Sequence, residues 1–369
     1  MSTLGTLPAS ADSHPPPDLP SRIPSLDGLR AVSIALVLLG HAGLAYDAPR
    51  LLQPLHHAGY LGVRFFFIIS GFLITSLLLK EKYSTNRISL KYFYIRRSLR
   101  IFPASVFYLI VIGLLSYVGS LRLRPGDLLH SLTYTMNYHF DRSWWVDHLW
   151  SLSVEEQFYL LWPMLVIISV KRSYKIAWCV VVAVPLIRAV MIVMGASNDA
   201  LTKEFQATAD SLATGCLLCF GFNWLSTQRW YSRLQASRFF WPGTLAIFGV
   251  GNLLFLVSRA AFYVLGQTLA NLGAALCIDW CIRNQGNLLA KILNSRPLVA
   301  VGVLSYSLYL WQNPFLNPNL KGWASSFPLN IILAFVAATI SYYFVERPFL
   351  KLKPVGHGAA RGKIQAATS

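Results

Sequence analysis

Residues 26–43 read LDGLRAVSIALVLLGHAG. No charged residue interrupts the run between Arg30 and His41, and the stretch is as long as a helix needs to approach the far side of a bilayer. Roughly 20 apolar residues cross the hydrocarbon core. Similar blocks recur to the C-terminus, and they predict an all-α, polytopic transmembrane bundle of about ten helices. The expected spans are 27–46, 59–79, 101–119, 148–170, 174–194, 207–225, 240–258, 261–281, 298–316 and 327–346, with a tight turn at Ser258–Ala260 between the seventh and eighth.

Composition agrees. Of 369 residues, 55% are hydrophobic and 13% charged, about half the charged share of a soluble domain. The net charge of +17 invites a nucleic-acid reading, but Lys and Arg sit in short loops between apolar blocks. That placement sets topology and meets anionic headgroups, so membrane lipids and not nucleic acid are the expected partners. With the N-terminus placed inside, 23 Lys and Arg fall on the cytoplasmic side and 7 on the outer side; both termini are expected to be cytoplasmic. The chain divides into a proline-rich tail (1–21), expected to be disordered, a membrane domain (22–350) and a basic cytoplasmic tail (351–369). The tail lacks the basic start and immediate apolar run of a cleavable signal peptide, so the first span is expected to stay as an anchor. Cys179, Cys216, Cys219, Cys277 and Cys281 lie in or beside apolar blocks, where helix packing explains them better than redox or metal chemistry. No metal and no permanently bound cofactor is expected.

Ionisable residues in or next to a span are costly and usually face an interior cavity. Asp27, Arg30, His41, Arg64, Arg97, Arg100, Asp147, His148, Glu155 and Glu156 all belong to the first four spans or their edges. Only Arg188, Asp210, Asp279 and Glu346 occur later. The reaction centre is therefore expected in the first four helices, with the others as scaffold. Arg30 and His41 fall about 20° apart in helical projection and about 16 Å apart along the axis, with Gly40, Ala42 and Gly43 leaving room beside the ring. A structural histidine bonded to a neighbouring helix is the alternative. Arg97 and Arg100 share a helix face and suit bidentate phosphate binding, whereas Arg96 needs no more than a topological role. In the second span, helix packing accounts for Gly71, and Ser70 is open. A helix N-terminus favours one acidic side chain; Glu155 and Glu156 face about 100° apart, so one of them is expected to point into the bundle.

These motifs resemble the acyltransferase 3 family. The resemblance covers about residues 22–350 and is carried by the Arg30-to-His41 spacing, F-F-x-I-S-G-F at 66–72, R-R-x-x-R at 96–100, W-S-L-S-V-E-E-Q-F-Y at 150–159, S-Y-S-L-Y-L-W at 305–311 and F-V-E-R-P at 344–348. It implies transfer of an acyl group, often acetyl, from acyl-CoA as co-substrate to a hydroxyl of an extracytoplasmic glycan or related acceptor, in a bacterial cytoplasmic membrane. It implies His41 as the catalytic histidine with Arg30 as its partner and Arg97 and Arg100 as the cytoplasmic arginine pair, and Glu155 and Glu156 match the acidic pair. Coenzyme A carries several phosphate charges, so Arg97, Arg100 and Arg30 are expected to hold it, and Glu155 is expected to orient the imidazole or the acceptor. Asp27, Ser70 and Glu156 are expected to support. One departure stands out: where the family commonly has His after the Trp of the late motif, this chain has Gln312. No soluble domain follows residue 350 in this sequence, so glycan handling is expected within the membrane domain or with partners. The rival functions are a polar-lipid or sugar transporter and a non-catalytic member of the same fold. The oligomeric state is open.

The topology is testable directly: reporter fusions at Ser369 and within the 120–147 loop are expected to give opposite sidedness, and the same side for both would break the ten-span scheme.

Overall fold

The computed structural model describes residues 15–19, 23–44, 48–53, 55 and 58–354. Among these residues it is helical without strands. The long helices are α1 (Pro24–Ala42), α2 (Ala58–Thr85), α3 (Leu90–Tyr117), α4 (Leu149–Ile168), α5 (Val170–Val193), α6 (Phe205–Thr227), α7 (Phe240–Val257), α8 (Arg259–Arg283), α9 (Arg296–Phe315) and α10 (Leu329–Lys351). Seven of them, all but α4, α6 and α9, are long and apolar enough to cross a membrane. The other three have the length, 20 or 23 residues, but carry polar side chains such as Glu155, Asp210 and Gln312. The chain is a multi-pass membrane protein.

α1 and α2 form the centre: 61% and 67% of their apolar windows are buried, against 17% for α5 and α7. Small residues decide which helices meet, as expected where lipid is as apolar as the interior. A Cβ on Gly302 of α9 would lie 1.9 Å from the Asp27 carbonyl oxygen of α1. Across α2 and α6 the approach is reciprocal, with Gly71 against the Leu212 carbonyl and Gly215 against the Ile68 carbonyl, each at 2.1 Å from the added carbon. Gly71 is thus a packing residue. Asp27 meets Gly302 near the helix starts and His41 meets Gln312 near their ends, so α1 and α9 run parallel.

α3 differs from expectation. It begins at Leu90, eleven residues before the expected span, because the Ser89 hydroxyl caps Tyr92 N–H and no Gly or Pro interrupts 87–102. Arg97 and Arg100 therefore stand about 10–15 Å into the same helix that carries the third span, on a helix as expected. Most of the proline-rich stretch 1–21 and the tail from 355 lie outside the described residues. Residues 15–19 are described, and they are held: Pro17 is buried, Asn223 bonds Pro16 O at 2.9 Å and Asp18 N at 3.2 Å, and Lys80 donates to Leu19 O.

Overpacking a close backbone contact costs about 1–3 kcal/mol. Gly302→Ala is expected to lower the melting temperature in detergent, while Gly243→Ala, with nothing within 4 Å of the added carbon, is expected to leave it unchanged or raise it. Equal melting temperatures for both variants would remove Gly302 from the α1–α9 contact.

Candidate active site

Two cavities share Arg30, Arg97 and Arg100. The wider, about 2700 Å³ with its open mouth, lies among α1, α2, α3 and the segment after α10. Seven Lys and Arg side chains line it, against one carboxylate, Glu81. Glu81 is already engaged: it accepts from Arg96 at 3.1 Å and from the Ser89 N–H at 2.9 Å. Arg30 has Asp27 at 3.7 Å. The Arg97 guanidinium lies over the Tyr159 ring, 4.6 Å from its centroid, a placement worth about 0.5–2 kcal/mol that leaves the donor edge free. So large an excess of cations around an open space suits a polyanion. Lys353, beyond the end of α10, feels the same crowding: burial and the nearby Arg100 and Arg97, opposed by Glu346, bring its ammonium down to about 8.

The narrower cavity, about 680 Å³, continues from the three arginines into the bundle. Its walls combine Phe66, Phe67 and Tyr309 with Glu155, Ser70 and Ser151. Glu155 Oε1 accepts from Ser70 Oγ at 2.9 Å, and Oε2 accepts from Tyr159 Oη at 3.1 Å. Glu155 is therefore the glutamate that points inward; Glu156 lies off the cavity, with Oε1 buried and unpartnered. At the far end Tyr309 Oη lies 2.5 Å from Ser151 Oγ and 2.8 Å from the His148 carbonyl. The His148 ring packs edge-on against Tyr108 and Tyr309.

His41 stands outside the lining of both cavities, against α9 and the segment between α3 and α4. Its Nδ1 is 2.5 Å from Gln312 Oε1, and its ring meets Trp144 edge-on at 5.2 Å. Trp144 belongs to the short helix Trp144–Asp147 between α3 and α4, which is pinned by ion pairs. Asp147 accepts from Arg142 and from Lys203 at 2.8 Å, and Asp199 accepts from the same two cations at 2.5 and 2.8 Å. Burial works against a charge on Asp147, yet Lys203 and Arg142 hold its carboxyl well below the usual carboxylate range.

The structure thus gathers Arg30, Arg97, Arg100, Glu155 and Ser70 in one continuous space, with Asp27 beside Arg30. It sets His41 apart, and the group at its Nδ1 is Gln312, not Glu155. The scaffold role expected for the later helices needs correction. α9 supplies Ser305, Tyr306 and Tyr309 to the inner cavity and Gln312 to His41, because the close approach at Gly302 lays it along α1. Uncharged side chains escaped a search for ionisable residues; the S-Y-S-L-Y-L-W motif was the signal that could have found them. Arg64 also departs from the cluster. It donates to Gln267 O, Asn271 Oδ1 and Gln267 Oε1 at 2.6–2.9 Å and to the Tyr60 hydroxyl, which ties α2 to α8.

A multi-pass helical bundle thus holds a cationic basin and, apart from it, a histidine held by Gln312 and Trp144. The family model described as an acyltransferase domain matches residues 23–346, and the chain belongs to the acyltransferase 3 family. It is 30% identical over 371 aligned residues to O-acetyltransferase OatA of Staphylococcus aureus, an alignment covering 90% of this chain and 58% of that protein. It is 29% identical over 369 to peptidoglycan O-acetyltransferase OatA of Listeria monocytogenes, covering 89% and 56%. The chain spans somewhat over half the length of these relatives. No solved structure matches.

The crowding at Lys353 predicts a proton signature. A polyanion in the basin relieves the repulsion and raises Lys353 back toward its ordinary value near 10.4. Between pH 8 and 9 the bound state then holds more protons than the free state. Calorimetry with inorganic tripolyphosphate at pH 8.5, in two buffers of different ionisation enthalpy, is expected to report proton uptake that disappears at pH 6.5 and in Lys353→Gln. Uptake undiminished in Lys353→Gln would assign it to another group.

Proposed function

We propose that this protein is a membrane O-acyltransferase that takes an acyl group, in the first instance acetyl, from acyl-CoA at the cytoplasmic face and delivers it to a hydroxyl of an extracytoplasmic glycan. The observation that carries the proposal is the continuity of the cationic basin with the inner cavity through Arg30, Arg97 and Arg100, with Arg30 on the helix that carries His41 near its end. The phosphates of coenzyme A carry the charge such a basin attracts, and guanidinium groups bind phosphate bidentately. The inner cavity, too narrow for the nucleotide, suits the thioester arm. In this reading all ten long helices span a bacterial cytoplasmic membrane with both termini inside. The polar faces of α4, α6 and α9 point into the bundle, which explains why their composition is less apolar than that of the other seven. The relatives named as peptidoglycan O-acetyltransferases favour a cell-wall glycan as acceptor.

The chemistry needs one base. The acceptor hydroxyl gives its proton to His41 as its oxygen bonds to the acyl carbon; the carbon–sulfur bond breaks, and the imidazolium returns the proton to the departing thiolate. Base catalysis of this kind contributes roughly 10²–10⁴-fold. A covalent acyl-histidine is the two-step variant of the same roles. Glu155, held by Ser70 and Tyr159, sits along the path of the thioester, and the arginines hold the donor while the acyl group moves inward.

His41→Ala keeps a helix-favouring, membrane-compatible residue and removes the ring. Turnover at saturating acyl-CoA is expected to fall by at least about 10², with coenzyme A affinity and melting temperature little changed on the same preparation. Near-normal acylation by this variant would sink the mechanism.

A further inference from the structure

The position of the proton on His41 can be traced from one backbone atom. The carbonyl oxygen of Trp144 can only accept, and Asn313 lies against it with its side-chain amide at 2.8 Å. The group facing Trp144 O must therefore be the Asn313 NH₂, which turns Asn313 Oδ1 the other way. Oδ1 meets the Gln312 side chain at 2.6 Å, so Gln312 must present its NH₂ there. That leaves Gln312 Oε1 pointing at His41 Nδ1, 2.5 Å away. A carbonyl oxygen only accepts, so Nδ1 carries the hydrogen. In neutral imidazole one nitrogen donates and the other accepts; with Nδ1 protonated, the lone pair is on Nε2.

The relay is built to hold. Gln312 is fully buried and Asn313 nearly so, at 0% and 1% exposure. Trp144 is tied back to Asn313 a second time, through its indole N–H to Asn313 O at 3.0 Å. The Trp144 ring lies edge-on to the imidazole and limits its rotation. The short helix that carries Trp144 is clamped by Arg142, Lys203, Asp147 and Asp199. We infer that Gln312 is a positioning residue that fixes His41 as the Nδ1–H tautomer and turns Nε2 toward the acceptor hydroxyl. The inference rests on the reading of His41 as the base and adds the atom that does the work. An amide also does not titrate, so the tautomer stays the same wherever the ring is neutral. The charged and titratable groups around His41 are Asp147 and Lys203 from the outer short helices and His148 at the start of α4, with Asp147 already paired to Arg142 and Lys203.

The test uses the full chain in detergent or nanodiscs. In the wild type, ¹⁵N spectra of the imidazoles, with the His41 signal assigned by its absence in His41→Ala, are expected to show Nδ1 protonated and Nε2 bare. A protonated Nε2 in neutral His41 would overturn the inference, whatever the variants do. For turnover, pH–rate profiles are compared for the wild type, Gln312→Glu and Gln312→Leu. A carboxylate accepting from Nδ1–H stabilises the imidazolium, so Gln312→Glu is expected to move the acidic limb upward by about 1 pH unit or more. Gln312→Leu is expected to lower kcat about tenfold or more with KM for acyl-CoA unchanged. Folded protein whose limb stays in place in Gln312→Glu would reduce Gln312 to a structural role. His41→Ala turnover decides the base reading separately, so the loss of one idea is not mistaken for the loss of the other.

Discussion

Three guanidinium groups, those of Arg30, Arg97 and Arg100, face one space inside a helical bundle, and much of the architecture serves to keep them there. Charge within a membrane protein is costly unless it meets water or a partner. Here the partners are few: Asp27 stands 3.7 Å from Arg30, and Tyr159 offers Arg97 a ring face. The basin must therefore be open to water on the side of α3's start. Deeper in the bundle the lining turns largely neutral: Phe66, Phe67 and the hydrogen-bonded pair Tyr309 and Ser151 wall the inner cavity, and none of them carries charge.

Helical periodicity sets which side chains share a face. On α4, His148, Ser151, Glu155 and Tyr159 follow at steps of three and four and share a face. On α9, Ser305, Tyr309 and Gln312 do the same. On α1, Arg30 and His41 are separated by close to three turns. The three faces converge because Gly302 admits the α1 backbone. A single larger residue there would separate Gln312 from His41 without touching either.

Much of this was legible in the sequence. The inward-pointing glutamate and the packing role of Gly71 follow from spacing and residue size alone. The contribution of α9 did not, because Tyr309 and Gln312 are uncharged and a search for costly residues passes over them. The start of α3 was misplaced since hydropathy marks where a helix enters lipid, not where it begins. Ser89 caps the helix and Leu90–Arg100 continues it without Gly or Pro, which carries the arginines into the bundle. The apparent defect at Gln312 is the most instructive case. A glutamine in place of an expected histidine reads as loss while its partners are unknown. Once Asn313 and the Trp144 carbonyl are placed, the same amide stands at the end of a hydrogen-bonded relay that reaches the ring.

Buried charge also proved to be of two kinds, and the sequence does not distinguish them. Arg188 and Asp210 are both fully buried, 2.6 Å apart; Arg188 donates further to the Ala207 carbonyl at 2.7 Å. Arg64 is held by Gln267, Asn271 and Tyr60. Such groups are closed on themselves: their donors are spent on neighbouring helices, and removing one partner would leave an uncompensated charge, at a cost of about 3–5 kcal/mol. They fix α2, α5, α6 and α8 relative to one another. Arg97 and Arg100 differ in that their donors face space. In a membrane bundle the mark of a working site is thus not the presence of an ionisable residue but a shortfall of partners around it. By that measure the cationic basin, with one engaged carboxylate among seven cations, is the candidate site, and the closed Arg64 and Arg188 networks are scaffold.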